Sequence, residues 1–374
     1  MKNNMIGIIF AEIYGSEELS ALTHDRNMAA IPFGGRYRLI DFTLSNMVNS
    51  GIDNIGVLVK QYYRSLMDHL ANGQEWDLNR KNGGLHILPP YANESVSQST
   101  VGKLDELRGA LDLLQDSSEP YVILADANVV CSMDYRAALD SHIASGADIT
   151  AITFCADGTA STPYPYVFQG KDSSAQAFAI NNIPKAGDLI GTGSYIISRE
   201  MLIQVVTEMT AYGAYHFERE FMQRQLNAGQ LSVNLYQIDG PVFFTRSVTE
   251  YLQNCLALTD EGVSSAIFRQ DRPIYTRVND EVPTYYGYGC DISACIIADG
   301  CVIEGSAEHS VLARGVKIGK GASIKNSVIM QGVTVGENAV LENVIVDKWA
   351  VISDGAQLKG LSTAPVIIRK GAKV

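Results

Sequence analysis

The sequence predicts two architectures in one chain: an α/β domain with a mostly parallel, Rossmann-like sheet, then a parallel β-helix. In the first two thirds, apolar strand-like runs alternate with helical stretches, which is typical of a parallel sheet. All 18 tyrosines lie at or before Tyr288. Beyond it the only aromatic residue is Trp349, and the apolar side chains are mostly short and aliphatic. This change of composition indicates an architectural boundary near residue 289.

Apolar runs predict six strands of the sheet: Ile6–Phe10, Ile55–Val59, Tyr121–Leu124, Ile149–Phe154, Tyr195–Ser198 and Leu231–Tyr236. Apolar periodicity and end signals predict four helices between them: Phe42–Asn49, Ser65–Ala71, Leu104–Leu114 and Asp134–Ala144. Asp134 is expected to cap the last of these helices, and Gly146 is expected to end it. Because ligands of such sheets bind at the carboxyl ends of the strands, the loop after the first strand is the first candidate site.

Beyond the boundary, aliphatic residues recur every five or six positions, at Ile318, Ile324, Met330, Val335, Leu341, Val346, Ile352 and Leu358. Such a hexapeptide repeat predicts a β-helix whose flat faces stack aliphatic side chains inward. An antiparallel sandwich would instead show alternation with period two. Repeats of this kind commonly pack against a domain of their own chain or against another subunit.

The composition indicates an ordinary globular protein of 374 residues with a net charge of −12. The acidic balance argues against a nucleic-acid or anionic-membrane partner. The apolar run Ile6–Ala11 is too short for a signal peptide, so a cytoplasmic location is expected. Cys290, Cys295 and Cys301 have spacings of five and six, which fit no common zinc pattern.

The loop after the first strand is acidic. Between Lys2 and Arg26 the chain has no lysine or arginine, whereas it has four acids: Glu12, Glu17, Glu18 and Asp25. A phosphate-binding loop would offer glycine amides and a cation instead. Carboxylates repel a triphosphate unless a metal intervenes, so this loop does not favour binding a triphosphate.

Several motifs resemble bacterial glucose-1-phosphate adenylyltransferase over nearly the whole chain. They are the run from Ile31 to Phe42, Leu44-Ser45-Asn46, Asn49-Ser50-Gly51-Ile52, Trp76-Asp77-Leu78, Met133-Asp134-Tyr135 and Pro273-Ile274-Tyr275-Thr276. The resemblance implies a nucleotidyltransferase-like domain over 1–256, a linker over 257–288 and a left-handed β-helix over 289–374.

The departures from this family's pattern fall on phosphate and metal contacts. Glu12 and Ile13 stand where catalytic members have paired glycines, and Met28 replaces a lysine that meets phosphate. Phe244 takes the place of a metal-binding aspartate, and Asn182 lies where a Glu-Lys-Pro motif holds the sugar phosphate. These changes indicate a degenerate active site.

Asp126 leaves an alternative open, and one further motif departs from the family's pattern. Asp126 either occupies the place of the family's first metal-binding aspartate or lies one residue away from it. In the Gly-Thr-Ala-Asp-Ala motif, Gly102 and Asp105 remain, but Lys103 and Leu104 replace the threonine and the first alanine.

The resemblance therefore implies a regulatory, catalytically degenerate D-type subunit of this enzyme in glycogen synthesis. We expect a catalytic partner subunit in a heterotetramer, with Mg²⁺ in the partner and no cofactor in this chain. Arg26 and Arg38 match positions that bind phosphorylated sugar effectors, although Asp25 stands where the family has a lysine. An active nucleotidyltransferase that uses Asp126 is the main alternative. An acyltransferase that uses His309 as a base is a third, disfavoured one.

Overall fold

The computed structural model describes residues 4–12, 17–89, 102–156, 158 and 160–374. The chain forms two compact units. Unit 1 comprises Met1–Tyr14 and Phe42–Val242, and unit 2 comprises Gly15–Asp41 and Phe243–Val374. This division differs from the expected boundaries at residues 256 and 288, because the segment 15–41 belongs with the C-terminal part of the chain.

Unit 1 is built on a nine-stranded sheet. Its strands are β1 (Met5–Phe10), β2 (Asn54–Leu58), β3 (Gly84–Leu88), β4 (Tyr121–Asp126), β5 (Ile149–Cys155), β6 (Tyr164–Lys171), β7 (Ser174–Asn182), β8 (Leu189–Ser198) and β9 (Val233–Gln237). Their order is β3-β2-β1-β4-β8-β5-β9-β7-β6, with β8 also paired to β6. The first four strands are parallel, whereas β8 is antiparallel to both β4 and β5.

Helices flank the strands along the chain. The α-helices that lie wholly or largely in unit 1 are Leu39–Asn49, Arg64–Leu70, Lys103–Leu107, Leu111–Asp116, Tyr135–Ser145, Arg199–Ala211 and Arg224–Asn227, and a π-helix spans Phe217–Gln223. The predicted helix over 104–114 is interrupted by a 3-10 turn, Arg108–Ala110. The predicted cap is confirmed, since the Asp134 side chain accepts a hydrogen bond from the Arg136 amide, and Gly146 ends that helix with a φ of 61°.

Unit 2 begins with short elements. These are the 3-10 helices Glu17–Leu19 and Met28–Ala30, the helix Ser20–Thr23 and the hairpin Pro32–Phe33 with Tyr37–Arg38. Gly34 and Gly35 form its turn with φ values of 57° and 82°, a conformation that favours glycine. The helix Val248–Ala257 ends where the expected linker begins, and the linker itself carries the helix Glu261–Ile267.

The C-terminal repeat is a left-handed β-helix with three parallel five-stranded sheets. The first contains Tyr285–Tyr286, Val302–Ile303, Lys317–Ile318, Thr334–Val335 and Val351–Ile352. The second contains Asp291–Ser293, Ser306–Glu308, Ser323–Lys325, Val340–Glu342 and Gln357–Lys359. The third contains Ile296–Ile297, Val311–Leu312, Val328–Ile329, Val344–Val346 and Val366–Ile368. Ala307, Ile324 and Leu341 are paired in register and buried, which confirms the predicted inward stack.

No helix among the residues that the structure describes is long and apolar enough to span a membrane.

Candidate functional site

The carboxyl ends of β1 and β4 define the candidate site in unit 1. The two strands are parallel, and their last residues, Phe10 and Asp126, are register partners. Asp126 is 2% exposed, so its carboxylate lies beneath the surface of the sheet edge. The sheet thus brings Asp126 to the edge where the fold binds ligands.

A buried ammonium group lies beside this carboxylate. Lys103 Nζ is 2.7 Å from Asp126 Oδ1 and 2.6 Å from Glu218 Oε1. It also donates a hydrogen bond of 3.2 Å to the Tyr166 hydroxyl. The lysine side chain is 3% exposed, and its charge is therefore balanced inside the protein rather than by water.

Backbone geometry explains why these side chains meet. Lys103 is the first residue of its helix, and Gly102 is the residue before it. Gly102 packs so closely against Tyr215 that an added Cβ would lie 2.2 Å from the Tyr215 carbonyl oxygen. The same carbonyl accepts the Leu104 amide at 2.9 Å. Tyr215 lies two residues before the π-helix Phe217–Gln223 that carries Glu218, and π-helical turns often occur at functional sites.

Aromatic rings and a glycine form the rest of the wall. Lys103 Nζ lies 5.0 to 5.9 Å from the ring centroids of Phe10, Tyr166 and Tyr195, within the range of cation–π attraction. A Cβ on Gly193 would lie 2.1 Å from Asp126 Oδ2, so only glycine leaves room for the carboxylate in this position.

The electrostatics favour a charged lysine. Burial lowers the pKa of Lys103, but the Asp126 and Glu218 carboxylates raise that pKa by more, so the net shift is upward. Burial raises the pKa of Asp126 to about 7, an effect that the Lys103 charge opposes and the Glu218 charge reinforces. The three groups form one coupled cluster of two acids and one base.

These residues do not fit a divalent cation as they stand. The resemblance implies an Mg²⁺-binding aspartate in this region, and Mg²⁺ requires oxygen ligands at about 2.0–2.1 Å. Here the lysine ammonium is already in contact with both carboxylates. Among the described residues, no group of three His, Cys, Asp or Glu side chains is arranged to hold a metal ion.

The other predicted positions in unit 1 are apart from this cluster or lack charge. Glu12 Oε1 accepts the Gln61 amide at 3.1 Å, and burial raises the pKa of Glu12 despite that bond. Asn182 is exposed at the end of β7. Ile13 lies outside the described residues. Glu12 therefore contributes a carboxylate that accepts a backbone amide, where catalytic members are expected to have a glycine.

Two of the predicted degenerate active-site positions, Met28 and Phe244, lie in unit 2, and both side chains are apolar and buried. Met28 is 2% exposed in a short 3-10 helix that Asn27 caps by accepting the Ala30 amide at 3.2 Å. Phe244 is 5% exposed, and its carbonyl oxygen accepts the Asn254 side-chain amide. Neither side chain offers the positive charge that binds a phosphate or the oxygen ligand that binds Mg²⁺.

Arg26 is not an exposed arginine. Its Nη2 contacts both carboxylate oxygens of Asp347, at 2.8 and 2.9 Å, and the two side chains are 4% and 6% exposed. The pair joins the segment 15–41 to a loop of the β-helix within unit 2. Arg26, one of the two predicted effector residues, therefore has an ion-pair partner within the protein.

Lys348, which the sequence reasoning missed, adds a third cation to this region. Burial and the charges of Arg38 and Arg26 lower the pKa of Lys348 to about 7, although Asp347 opposes the shift. The half-buried Arg38 is close enough to Lys348 for their charges to repel. Clustered cations whose pKa values are lowered by burial and by one another are common at sites that bind anions.

The sequence contains a local signal for Lys348 but none for Glu218, which the sequence reasoning also missed. Lys348 follows Asp347 in a loop between aliphatic repeat positions, where a buried charged pair is unexpected. Lys103 is a visible departure from the family motif, but its partner Glu218 is 115 residues away, so no local pattern connects them.

The remaining candidates have ordinary packing environments. His309 Nδ1 lies 2.8 Å from Asn326 Oδ1, and both residues occupy corners of the β-helix with positive φ. Cys301 is buried in the β-helix core, and Cys290 and Cys295 pack against it. The structure thus gives these side chains contacts within the repeat.

Comparison with known proteins gives the family. Residues 7–240 match the nucleotidyl transferase family, and residues 285–361 match the GlmU-like, C-terminal hexapeptide family. The glycogen biosynthesis protein GlgD of Geobacillus stearothermophilus is 39% identical over 371 residues, which cover 99% of this chain and 97% of that protein. GlgD of Bacillus subtilis is 34% identical over 99% of this chain and 96% of that protein.

The glucose-1-phosphate adenylyltransferase of Geobacillus stearothermophilus is 31% identical over 327 residues, which cover 87% of this chain and 84% of that protein. The chain therefore belongs to the glucose-1-phosphate adenylyltransferase family, and it is a glycogen biosynthesis protein of the GlgD kind.

Proposed function

We propose that this chain is a regulatory, catalytically degenerate subunit of glucose-1-phosphate adenylyltransferase. In this proposal it assembles with a catalytic subunit in a cytoplasmic heterotetramer. The complex converts ATP and glucose 1-phosphate into ADP-glucose and pyrophosphate, and Mg²⁺ binds in the catalytic partner. The observation that carries the proposal is the buried contact of Lys103 with Asp126 at 2.7 Å.

The chemistry of nucleotidyl transfer supports this reading. The reaction requires metal ions and cationic groups that neutralise the phosphates in the transition state. Here Asp126 is paired with an ammonium, whereas Met28 and Phe244 are buried and apolar. Because loss of one stabilising group typically costs about 10²–10³ in rate, the combined changes leave little turnover.

A regulatory role is supported by the cations of unit 2. Arg38 and Lys348 lie near the buried Arg26–Asp347 pair, and the pKa of Lys348 is lowered to about 7 by burial and by the two arginines. A bound phosphate would relieve the repulsion between Arg38 and Lys348. A phosphorylated sugar effector that binds there can shift the assembled enzyme between states, although this subunit performs no chemistry.

The test is ADP-glucose formation by three samples: this chain alone, a catalytic partner alone, and the two mixed. We expect at most trace activity from this chain and an altered rate or effector response in the mixture. Turnover by this chain alone at the rate of a motif-complete enzyme would refute the proposal. So would a mixture that neither assembles nor differs from the partner alone.

The regulatory part has its own test in the mixed enzyme. Replacing Arg38 and Lys348 by alanine should raise the half-saturating effector concentration at least about tenfold, since each charge-assisted contact contributes about 1.5–3 kcal/mol. The unstimulated rate should stay nearly intact. Lys325→Ala, at an exposed lysine of the same β-helix, is the control. An unchanged effector response in the double variant would place the effector site elsewhere.

A further inference from the structure

The carboxylates of Asp126 and Glu218 converge on a single point inside unit 1. One oxygen of Asp126 and one of Glu218 lie 2.7 and 2.6 Å from Lys103 Nζ, and the Tyr166 hydroxyl oxygen lies 3.2 Å from it. Three oxygens therefore surround the position of one positive charge. Hard divalent cations prefer such oxygen ligands, at about 2.0–2.6 Å depending on the ion.

A second observation points to the same place. The Tyr195 hydroxyl and Asp126 Oδ2 are buried and have no hydrogen-bond partner among the described residues. Tyr195 is 1% exposed, and its pKa is raised well above the usual range by burial first and by the nearby Glu218 charge. The cluster thus contains more oxygen ligands than the three hydrogens of one ammonium satisfy.

We propose that Asp126 and Glu218 form a latent site for a hard divalent cation, in which the Lys103 side chain is the resident cation. Removing that side chain opens the site to Mg²⁺ or Mn²⁺. This proposal rests on the proposed function, because it explains the inactive site by the Lys103 ammonium that occupies the cation position. Its test measures metal binding rather than turnover.

Charge balance explains why the site is closed in the natural chain. The two carboxylates carry two negative charges, and Lys103 supplies one positive charge without leaving the protein. A tethered ammonium has a high effective concentration and no hydration shell to lose at each binding event. When the lysine is absent, the two buried acids have no counter-charge, so protons and divalent ions compete to neutralise them.

The experiment compares Mn²⁺ binding by the full-length natural chain and by Lys103→Ala, using the electron paramagnetic resonance signal of free Mn²⁺. Lys60→Ala is the matched control, because Lys60 Nζ forms a similar ion pair with Glu106 at 2.6 Å and its side chain is 14% exposed. We expect Lys103→Ala to bind one Mn²⁺ with a Kd of about 10⁻⁴ M, in the range of weak protein sites. The natural chain and Lys60→Ala should bind at least tenfold more weakly.

Adding Glu218→Gln to Lys103→Ala should weaken Mn²⁺ binding at least tenfold, and Mn²⁺ should raise the Tm of the single variant but not of the double variant. If Lys103→Ala does not fold, Lys103→Gln preserves much of the side-chain volume without the charge and is measured in the same way. The proposal is overturned if the folded variant binds Mn²⁺ no better than Lys60→Ala. It is also overturned if the natural chain binds one Mn²⁺ equally well. ADP-glucose formation by the natural chain would reject the proposed function without altering either binding result.

Discussion

The buried pair of Arg26 and Asp347 makes a specific prediction about the stability of unit 2. Replacing Arg26 by methionine leaves the Asp347 carboxylate buried at 6% side-chain exposure without its counter-charge. Removing one partner of such a pair costs about 3–5 kcal/mol. For a unit of this size the Tm should fall by about 6–20 °C.

Two further variants separate the charge effect from loss of packing. Asp347→Asn in the Arg26→Met background removes the uncompensated charge and keeps an acceptor for the Lys348 amide, which donates to Asp347 Oδ1 at 2.7 Å. The double variant should recover most of the lost stability. Lys325→Met breaks the exposed contact with Glu308, where the side chains are 48% and 57% exposed, and should cost less than about 1 kcal/mol.

The assay is urea and thermal unfolding of the natural chain, Arg26→Met, Asp347→Asn, the double variant and Lys325→Met. The coupling energy is taken from the double-mutant cycle of the first four proteins. A cost below about 1 kcal/mol for Arg26→Met would refute the reasoning, because buried charges are expected to cost more than that when unpaired. A double variant less stable than either single variant would also refute it.

Three more predictions follow from the same geometry. Gly193→Ala should lower the unfolding free energy by about 2–5 kcal/mol in urea titrations, because the new Cβ clashes with Asp126 and the residue has a positive φ. Gly187→Ala is the control and should cost less, because that residue also has a positive φ but no atom of the described residues beyond its two chain neighbours lies within 4 Å of the new Cβ. The pKa of Lys348 is about 7 in the folded chain and about 10.4 in the unfolded chain, so between these pH values only the unfolded chain keeps the proton. The unfolding free energy should therefore rise as the pH increases from about 7 to about 10, and Lys348→Met should flatten this profile. Phe244→Asp should restore no ADP-glucose formation, because catalytic groups act as a unit, and recovery of activity from this one change would contradict the account. The variant should also have a lower Tm, because the new carboxylate is buried at a position that is 5% exposed.

Much of the fold follows from local patterns. The apolar runs predict β1, β2, β4, β5, β9 and the C-terminal part of β8, and the repeat of five or six residues predicts the inward stack of the β-helix. The strands β6 and β7 were not predicted, because partly exposed residues interrupt their apolar pattern. The break in the helix over 104–114 lies at Gly109, whose backbone freedom weakens helix continuation.

The candidate site was less predictable because its contacts are remote in sequence. The motif departures identify where phosphate and metal contacts are missing, but they do not reveal what replaces them. Lys103 contacts Asp126 because its helix packs against the sheet. Glu218 lies on a π-helix, which the apolar periodicity of the sequence does not predict. Arg26 likewise matches an effector position by motif, whereas its burial against Asp347 depends on the three-dimensional arrangement of unit 2.

The central claim is that this chain contributes no turnover even when assembled. The most direct measurement combines the natural chain with a catalytic partner whose own metal-binding aspartate has been replaced by asparagine, verifies assembly by size, and measures ADP-glucose formation. The account predicts no product above background, because the only described cation beside Asp126 in this chain is the Lys103 ammonium. Product formation by that assembly, abolished when Asp126 of this chain is replaced by asparagine, would contradict it.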